Sequence, residues 1–397
     1  MAKSVPDHVF RGYDLRGLVG SELDAENVEL LARGYATWLL QRRIYDCVLG
    51  YDCRLSSPEF RDAMVKGLTD SGITVYDIGM TLSQISYFAG YYFRTKGLVM
   101  ITASHNPKEY NGFKFGMGFS ETMLSEEIIE LRDLVKSGKF VTRSPKGVVI
   151  QKDIKQEYID DLKRRIDPIK RFKVVIDSCA ATTGIYLPDI LRSVGCEVIE
   201  QNTKPDGNFP VGTPDPTEHE VQMRLAERVV KEKADMGFSY DCDGDRVGIV
   251  DHTGRLIWND VLVSIFSVDV LSYLPGANII YNVLCSKQVD EVIRAQGGVP
   301  VMWKTGHSFI KAKVREARSP FGGELSGHFF FMDNFYGHDD GAIATLRLLA
   351  YLTRVDKTLA AVIDELPKYV SSPEIKVGCP DAIKFSIVTD KIGGEMK

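Results

Sequence analysis

Gly97-Leu98-Val99-Met100-Ile101-Thr102-Ala103-Ser104-His105-Asn106-Pro107 joins an apolar, strand-like run to a turn that carries a serine. β-Branched and other apolar residues suit a buried strand, whereas Ser and Asn bond their own backbone and Pro stops further pairing. Taken alone, the hexapeptide from Thr102 also reads as ordinary turn chemistry. A second stretch changes its meaning. Asp235-Met236-Gly237-Phe238-Ser239-Tyr240 is again strand-like, and it runs into Asp241-Cys242-Asp243-Gly244-Asp245-Arg246. Three carboxylates alternating with Cys242 and Gly244 fall on one side of an extended loop, where they repel without a counter-ion. A divalent cation removes the repulsion, and three carboxylates that leave positions open suit Mg²⁺. An EF-hand is excluded by register, since its glycine belongs at the sixth loop position and here it is the fourth residue. A nucleophilic hydroxyl together with a hard-cation site points to phosphoryl transfer.

Outward from these loops, strand-like runs recur in sets with helical stretches between them, the pattern of a repeated α/β unit. The first set is Cys47 to Tyr51, Ile73 to Asp77 and Leu98 to Ile101, ending in the serine loop. The second is Lys173 to Asp177, Glu197 to Glu200 and Met236 to Tyr240, ending in the aspartate loop. The third, less complete, is Asn278 to Asn282, then Val301 to Trp303, then Ser319 to Gly322, which leads into a loop with little strand character of its own, Gly323-Glu324-Leu325-Ser326-Gly327-His328. Ligands of α/β sheets gather beyond the carboxyl ends of strands, so three loops at equivalent places are expected to converge on one cleft. The expected organisation is α/β: three similar consecutive α/β domains (1–149, 150–255 and 256–366) around a shared cleft, and in 367–397 the start of a fourth α+β domain.

The 397 residues, 44% of them hydrophobic, describe an ordinary globular protein with room for several cores. A net charge of -5 offers no general attraction to nucleic acid or anionic membrane, so phosphate must be bound locally. Seven cysteines without a Cys-x-x-Cys pair read as reduced thiols. With no signal-like apolar segment near Met1, a cytoplasmic, unanchored protein is expected.

Phe10-Arg11-Gly12-Tyr13-Asp14-Leu15-Arg16-Gly17, the serine and aspartate loops, Trp303-Lys304-Thr305-Gly306-His307-Ser308 and the Gly323 to His328 loop occur in the order of one family. The chain resembles an α-D-phosphohexomutase of the phosphomannomutase/phosphoglucomutase branch. The resemblance implies that Ser104 is phosphorylated in the active enzyme, and that Asp241, Asp243 and Asp245 bind Mg²⁺ with an oxygen of that phosphoserine. It implies that Glu324 and Ser326 bind sugar hydroxyls, and it puts Tyr13, Gly306 and His328 at the substrate. The implied reaction interconverts hexose 1-phosphate and hexose 6-phosphate through a 1,6-bisphosphate, which also serves as activator. Leu325 in the middle of its loop resembles the mannose/glucose enzymes.

A phosphoserine would add about -2 of charge, which Mg²⁺, Arg246, Lys114 and Arg16 would offset. Lys114 is a candidate general base if cationic neighbours lower its pKa, and His307 is a second proton carrier. His105 is expected to order the serine loop or contact phosphate. Two departures stand out. The family's fourth domain carries an Arg-x-Ser-x-Thr-type phosphate loop, whereas 367–397 holds only Ser371 to Ile375 and a strand-like Ile383 to Val388. Leu284 stands where relatives often have a lysine, with Lys287 nearby. A sugar-phosphate binding protein of impaired turnover and a Mg²⁺-dependent phosphatase are therefore the alternatives.

Overall fold

A computed structural model of the chain describes residues 5–369 and, beyond them, Gly378, Cys379, Ile383 and 386–388. Met1–Pro367 form one unit and Lys368–Lys397 another.

The first unit holds three sheets built on one plan. In the first, Tyr110–Gly118, Gly97–Ile101, Asp46–Tyr51 and Thr74–Met80 lie side by side in that order. In the second the order is Val247–Asp251, Met236–Tyr240, Lys173–Asp177 and Glu197–Gln201. In the third it is Phe329–Phe331, Phe321–Gly323, Asn278–Asn282 and Val299–Trp303. The last three strands of each series are parallel, and the first is antiparallel to its neighbour. Each chemistry-bearing loop is thus the connection between a central parallel strand and the antiparallel strand that returns beside it. Ile101 pairs with Phe113, Tyr240 with Val247 and Gly323 with Phe329, so the three loops sit at the same topological place.

These returning strands are absent from the sequence reading; the last run of the third set is a strand as expected but extends one residue further, and the first domain boundary cuts a strand. Phe321–Gly323 is a strand, parallel to Asn278–Asn282. Its weak strand character comes from two glycines whose side chains would collide: a Cβ on Gly322 would lie 2.5 Å from Val314 Cγ2, and one on Gly323 would lie 2.7 Å from Val263 Cγ2. Helices packed against both faces of the strand leave room only for backbone. The boundary placed after residue 149 falls inside the strand Val149–Gln151, which pairs with Thr74–Met80 and extends the first sheet.

One apolar cluster runs through all three repeats. Val48, Ile85 and Phe88 from the first meet Tyr158, Val174 and Phe238 from the second, and Phe266, Ile279 and Leu346 from the third. Burying these faces together fixes the relative placement of the repeats, because interiors pack at near-crystalline density and deform little. Beyond residue 367, Ser371 to Ile375 lie outside the described residues. Ile383 and 386–388 are helical rather than strand-like, with Ser386 Oγ bonding the Ile383 carbonyl one turn back. Among the described residues, no helix is long and apolar enough to cross a membrane.

Candidate active site

A cavity of about 330 Å³ opens where the three loops meet. Its walls include Tyr13, Arg16, Ser104, His105, Lys114, Asp245, Arg246, Gly306, His307, Glu324, Ser326 and His328. Asp241 and Asp243 are wholly buried in the loop they share with Asp245. The serine loop, the aspartate loop and the Gly323 to His328 loop, with Tyr13, Arg16, Lys114, Gly306 and His307, are therefore brought to one place.

Ser104 is held in a left-handed conformation (φ 50°), which a side chain makes unfavourable by about 1–2 kcal/mol. Its amide donates to Thr102 Oγ1 at 2.8 Å, and its Oγ donates to Asp241 Oδ2 at 2.6 Å. His105 Nδ1 lies 3.2 Å from the same Oγ. Burial first, then the charges of Arg246 and Arg16, keep the His105 imidazole neutral far below the usual histidine range. Arg16 donates from Nε to Asp14 and from Nη1 to the Ala103 carbonyl and Asn106 Oδ1, at 2.8, 3.2 and 2.6 Å. A cation thus steadies the loop from the cleft side.

The aspartate loop carries oxygens of Asp241, Asp243 and Asp245 within 4.8 Å of one another. Asp243 Oδ1 and Asp245 Oδ1 are buried without a hydrogen-bond partner. Orphaned anionic oxygens of this kind are costly unless a cation meets them, so the donor set fits a hard divalent ion. Burial, then the charges of Asp245 and Asp243, push the Asp241 carboxyl well above the usual range. Lys114 fills the other side: its Nζ donates to Asp243 Oδ2 at 2.7 Å, Asp245 Oδ2 at 2.5 Å and Ser83 Oγ at 3.0 Å. Burial alone would lower this lysine, but the two carboxylates outweigh it and hold it well above the ordinary value. The lowering by cationic neighbours that a basic Lys114 requires is absent; its neighbours are acidic. Lys114 is a fixed cation of the aspartate loop.

The wall around Glu324 is built by contacts that local sequence does not reveal. Glu324 Oε1 accepts from the Gly306 amide at 2.9 Å while Oε2 is left buried without a partner, and burial raises the carboxyl. Gly306 has φ 130°, and a Cβ there would stand 3.0 Å from both Tyr13 and Phe309. Tyr13 packs edge-on to His307 at 5.0 Å, and His307 stacks on His328 at 5.2 Å. Arg246 Nε donates to His328 Nε2 at 3.0 Å, which leaves the His328 proton on Nδ1. Both His307 Nδ1 and His328 Nδ1 lie 3.0 Å from Asp339 Oδ2. Burial lowers His307 to about 4 despite that carboxylate.

Sequence reasoning missed Asp339, Ser83 and Arg54. Asp339 sits in Gly337-His338-Asp339-Asp340-Gly341, where the pair of acids before the helix Gly341–Val355 was the one available signal. Arg54 is 1% exposed and donates to the carbonyls of Ser104, Asn106, Pro107 and Tyr110 at 2.7, 2.6, 2.8 and 2.9 Å. Lys287 pairs with Glu291 at 2.9 Å and is not among the cavity-lining residues.

Comparison with known proteins agrees with this arrangement. The chain matches the models for phosphoglucomutase/phosphomannomutase alpha/beta/alpha domain I over residues 7–142, domain II over 156–254 and domain III over 258–369. It is 39% identical over 387 residues to a phosphomannomutase/phosphoglucomutase of Pseudomonas aeruginosa, covering 98% of this chain and 83% of that protein. A phosphoglucomutase of Neisseria gonorrhoeae is 36% identical over 392 residues, covering 99% of this chain and 85% of that one. The crystal structure of a phosphoglucomutase/phosphomannomutase family protein from Burkholderia thailandensis superposes with a TM-score of 0.89 at 35% identity, over 93% of this chain and 81% of that one. Matches of this identity over nearly the whole chain, domain by domain and in order, make it a member of the phosphoglucomutase/phosphomannomutase family.

Proposed function

We propose that the chain interconverts the 1-phosphates and 6-phosphates of mannose and glucose through a phosphorylated Ser104 and a hexose 1,6-bisphosphate. The observation that carries this reading is the 2.6 Å bond from Ser104 Oγ to Asp241, made at a cavity that Ser104, Glu324 and Ser326 line together. In the first half-reaction the phosphorus–Oγ bond of phosphoserine breaks as a bond forms from phosphorus to the free sugar hydroxyl. The hydroxyl proton passes to the His307 imidazole, whose Nδ1 is backed by Asp339. The bisphosphate reorients, and its other phosphoryl group returns to Ser104.

Asp241, Asp243 and Asp245 would hold Mg²⁺, which supplies neutralising charge to the transferring phosphoryl oxygens. Arg16, Arg246 and Lys114 add fixed positive charge around the same cavity, which suits a transition state that spreads charge over phosphoryl oxygens. Glu324 and Ser326 grip hydroxyls that occupy similar positions in either orientation of the sugar. The test is labelling of the protein by hexose 1,6-bisphosphate carrying a radioactive phosphate, together with conversion of glucose 1-phosphate and mannose 1-phosphate to their 6-phosphates, beside Ser104→Ala. Label on Ser104 and Ser104-dependent isomer formation are expected. Label lost as inorganic phosphate without isomer would replace the mutase by a phosphatase, and a folded protein that binds sugar phosphate without taking label would be a binding protein.

A further inference from the structure

Two cysteines that phosphoryl transfer does not use meet behind the aspartate loop. Cys53 follows the strand Asp46–Tyr51, and Cys242 stands between Asp241 and Asp243. Their Sγ atoms lie 3.9 Å apart although 189 residues separate them. Ala181 and Phe209 complete a small apolar pocket around both, with Met80 at its edge. Cys242 Sγ lies 3.6 Å from Asp52 Oδ2 and 3.8 Å from Thr182 Oγ1, which also accepts from the Cys53 amide at 2.8 Å. Phe209 and Gly207, from the Asp206 to Pro210 segment, cover the pair. The Phe209 ring lies 5.1 Å from the Arg54 guanidinium, and a Cβ on Gly207 would fall 2.6 Å from the Cys53 carbonyl oxygen. Cys53 keeps 7% of its surface exposed, while Cys242 is wholly buried.

We propose that Cys53 and Cys242 close a reversible disulfide that switches the phosphoryl-transfer site off; its effect on activity rests on the function proposed above, its chemistry does not. The oxidant is a hydroperoxide. The Cys53 thiol gives up its proton as its sulfur attacks a peroxide oxygen, the O–O bond breaks, and a sulfenic acid forms while the leaving oxygen takes up that proton and departs as water or, from an organic hydroperoxide, as alcohol. The Cys242 sulfur then attacks the Cys53 sulfur, the S–O bond breaks, and the departing hydroxide leaves as water with the Cys242 proton. Two electrons pass from the sulfur pair to the peroxide, and a dithiol reverses the change by exchange. Cys53 suits the attacking role, because the hydrogen bond with Cys242 brings its thiol below the ordinary range.

A disulfide bond of about 2.05 Å requires the sulfurs to close by about 1.9 Å from their 3.9 Å contact. One end of that movement is flanked by Asp241 and Asp243. The other is flanked by Asp52 and by Arg54, which holds the serine loop. A misplacement of about 1 Å passed from there to the reacting groups costs about a hundredfold in rate.

The experiment exposes the folded protein to hydrogen peroxide, blocks remaining thiols, digests it without reduction and identifies joined peptides by mass. Ser104 labelling by the radioactive bisphosphate is measured on the same sample before and after a dithiol. A Cys53–Cys242 peptide is expected, with labelling reduced by about a hundredfold and restored by the dithiol. Cys53→Ala is expected to label normally and to resist peroxide. Oxidation of the exposed Cys379 without the joined peptide overturns the proposal, and so does a joined peptide that leaves labelling unchanged. Should the untreated protein take no label, the functional reading fails on its own. The joined peptide and the loss of Mg²⁺-induced thermal stabilisation then decide the switch.

Discussion

Replacing Arg54 by methionine removes a buried cation that the first repeat sets against the carbonyls of the serine loop. Its guanidinium makes five hydrogen bonds to side-chain and carbonyl oxygens: one to Asp52 at 3.1 Å, and one each to the carbonyls of Ser104, Asn106, Pro107 and Tyr110. Charged hydrogen bonds contribute about 1.5–3 kcal/mol apiece, but five on one group are not additive. Breaking a buried ion pair by deleting one partner costs about 3–5 kcal/mol, and that range is the expected loss of stability in Arg54→Met. Ser104 pays about 1–2 kcal/mol for its left-handed backbone, so the loop relaxes before the sheets do. Oγ then leaves its 2.6 Å contact with Asp241, and labelling of Ser104 falls by about a hundredfold. Denaturant unfolding gives the first quantity, and the rate of labelling by radioactive hexose 1,6-bisphosphate gives the second. Arg54→Lys keeps the charge but has three donors and no planar fork, so it falls between. A methionine variant that labels at the wild-type rate refutes the assignment of Arg54 as the positioning residue of this loop.

Three further outcomes are expected. Mg²⁺ at about a hundredfold over its dissociation constant stabilises the protein by about 2.7 kcal/mol, and Asp243→Asn weakens that stabilisation; equal thermal shifts in both proteins would remove Asp243 from the metal site. Burial lowers His338 to about 3, with Lys311, Arg315 and Arg165 adding to it, so the native state keeps the ring neutral where an unfolded chain protonates near pH 6.5. Its contribution to stability is full above that pH and is lost as pH falls toward 3, at about 1.4 kcal/mol per pH unit. His338→Phe, set among Tyr87, Phe335 and Tyr336, should flatten this acid limb in urea unfolding, and parallel limbs would contradict the assignment. Gly306→Ala drives a Cβ toward Tyr13 and Phe309 at φ 130°, with about 1–3 kcal/mol of strain. It should raise KM for hexose 1-phosphate more than it lowers kcat, and an unchanged KM would separate Gly306 from the sugar wall.

How much of this was legible in the chain depends on the range of the forces involved. The strand Met236–Tyr240 is five buried residues followed by an acidic turn, and both parts are local, so the sequence carries them directly. The same holds for Gly97–Ile101 and the serine loop. The run ending at Gly322 was set one residue short because Gly323 answers to Val263, which lies in the helix Asn259–Tyr273, distant in sequence. Lys114 was read with the wrong neighbours for the same reason: its charge state depends on Asp243 and Asp245, 129 and 131 residues away.

The sequence by itself determined the threefold recurrence of strand sets, the polar loop that ends each one, and which loop carries the hydroxyl, which the three carboxylates and which Glu324 and Ser326. Strand periodicity and turn chemistry act between residues a few positions apart, so no knowledge of the fold was needed to see them. The tertiary structure alone decided that Ser104 meets Asp241, that Arg54 grips the serine loop, that Asp339 stands behind two histidines and that Cys53 touches Cys242. Those contacts exist because one apolar core locks three sheets together and carries their loops into hydrogen-bond range, where Coulomb and hydrogen-bond energies act on distance in space and not along the chain.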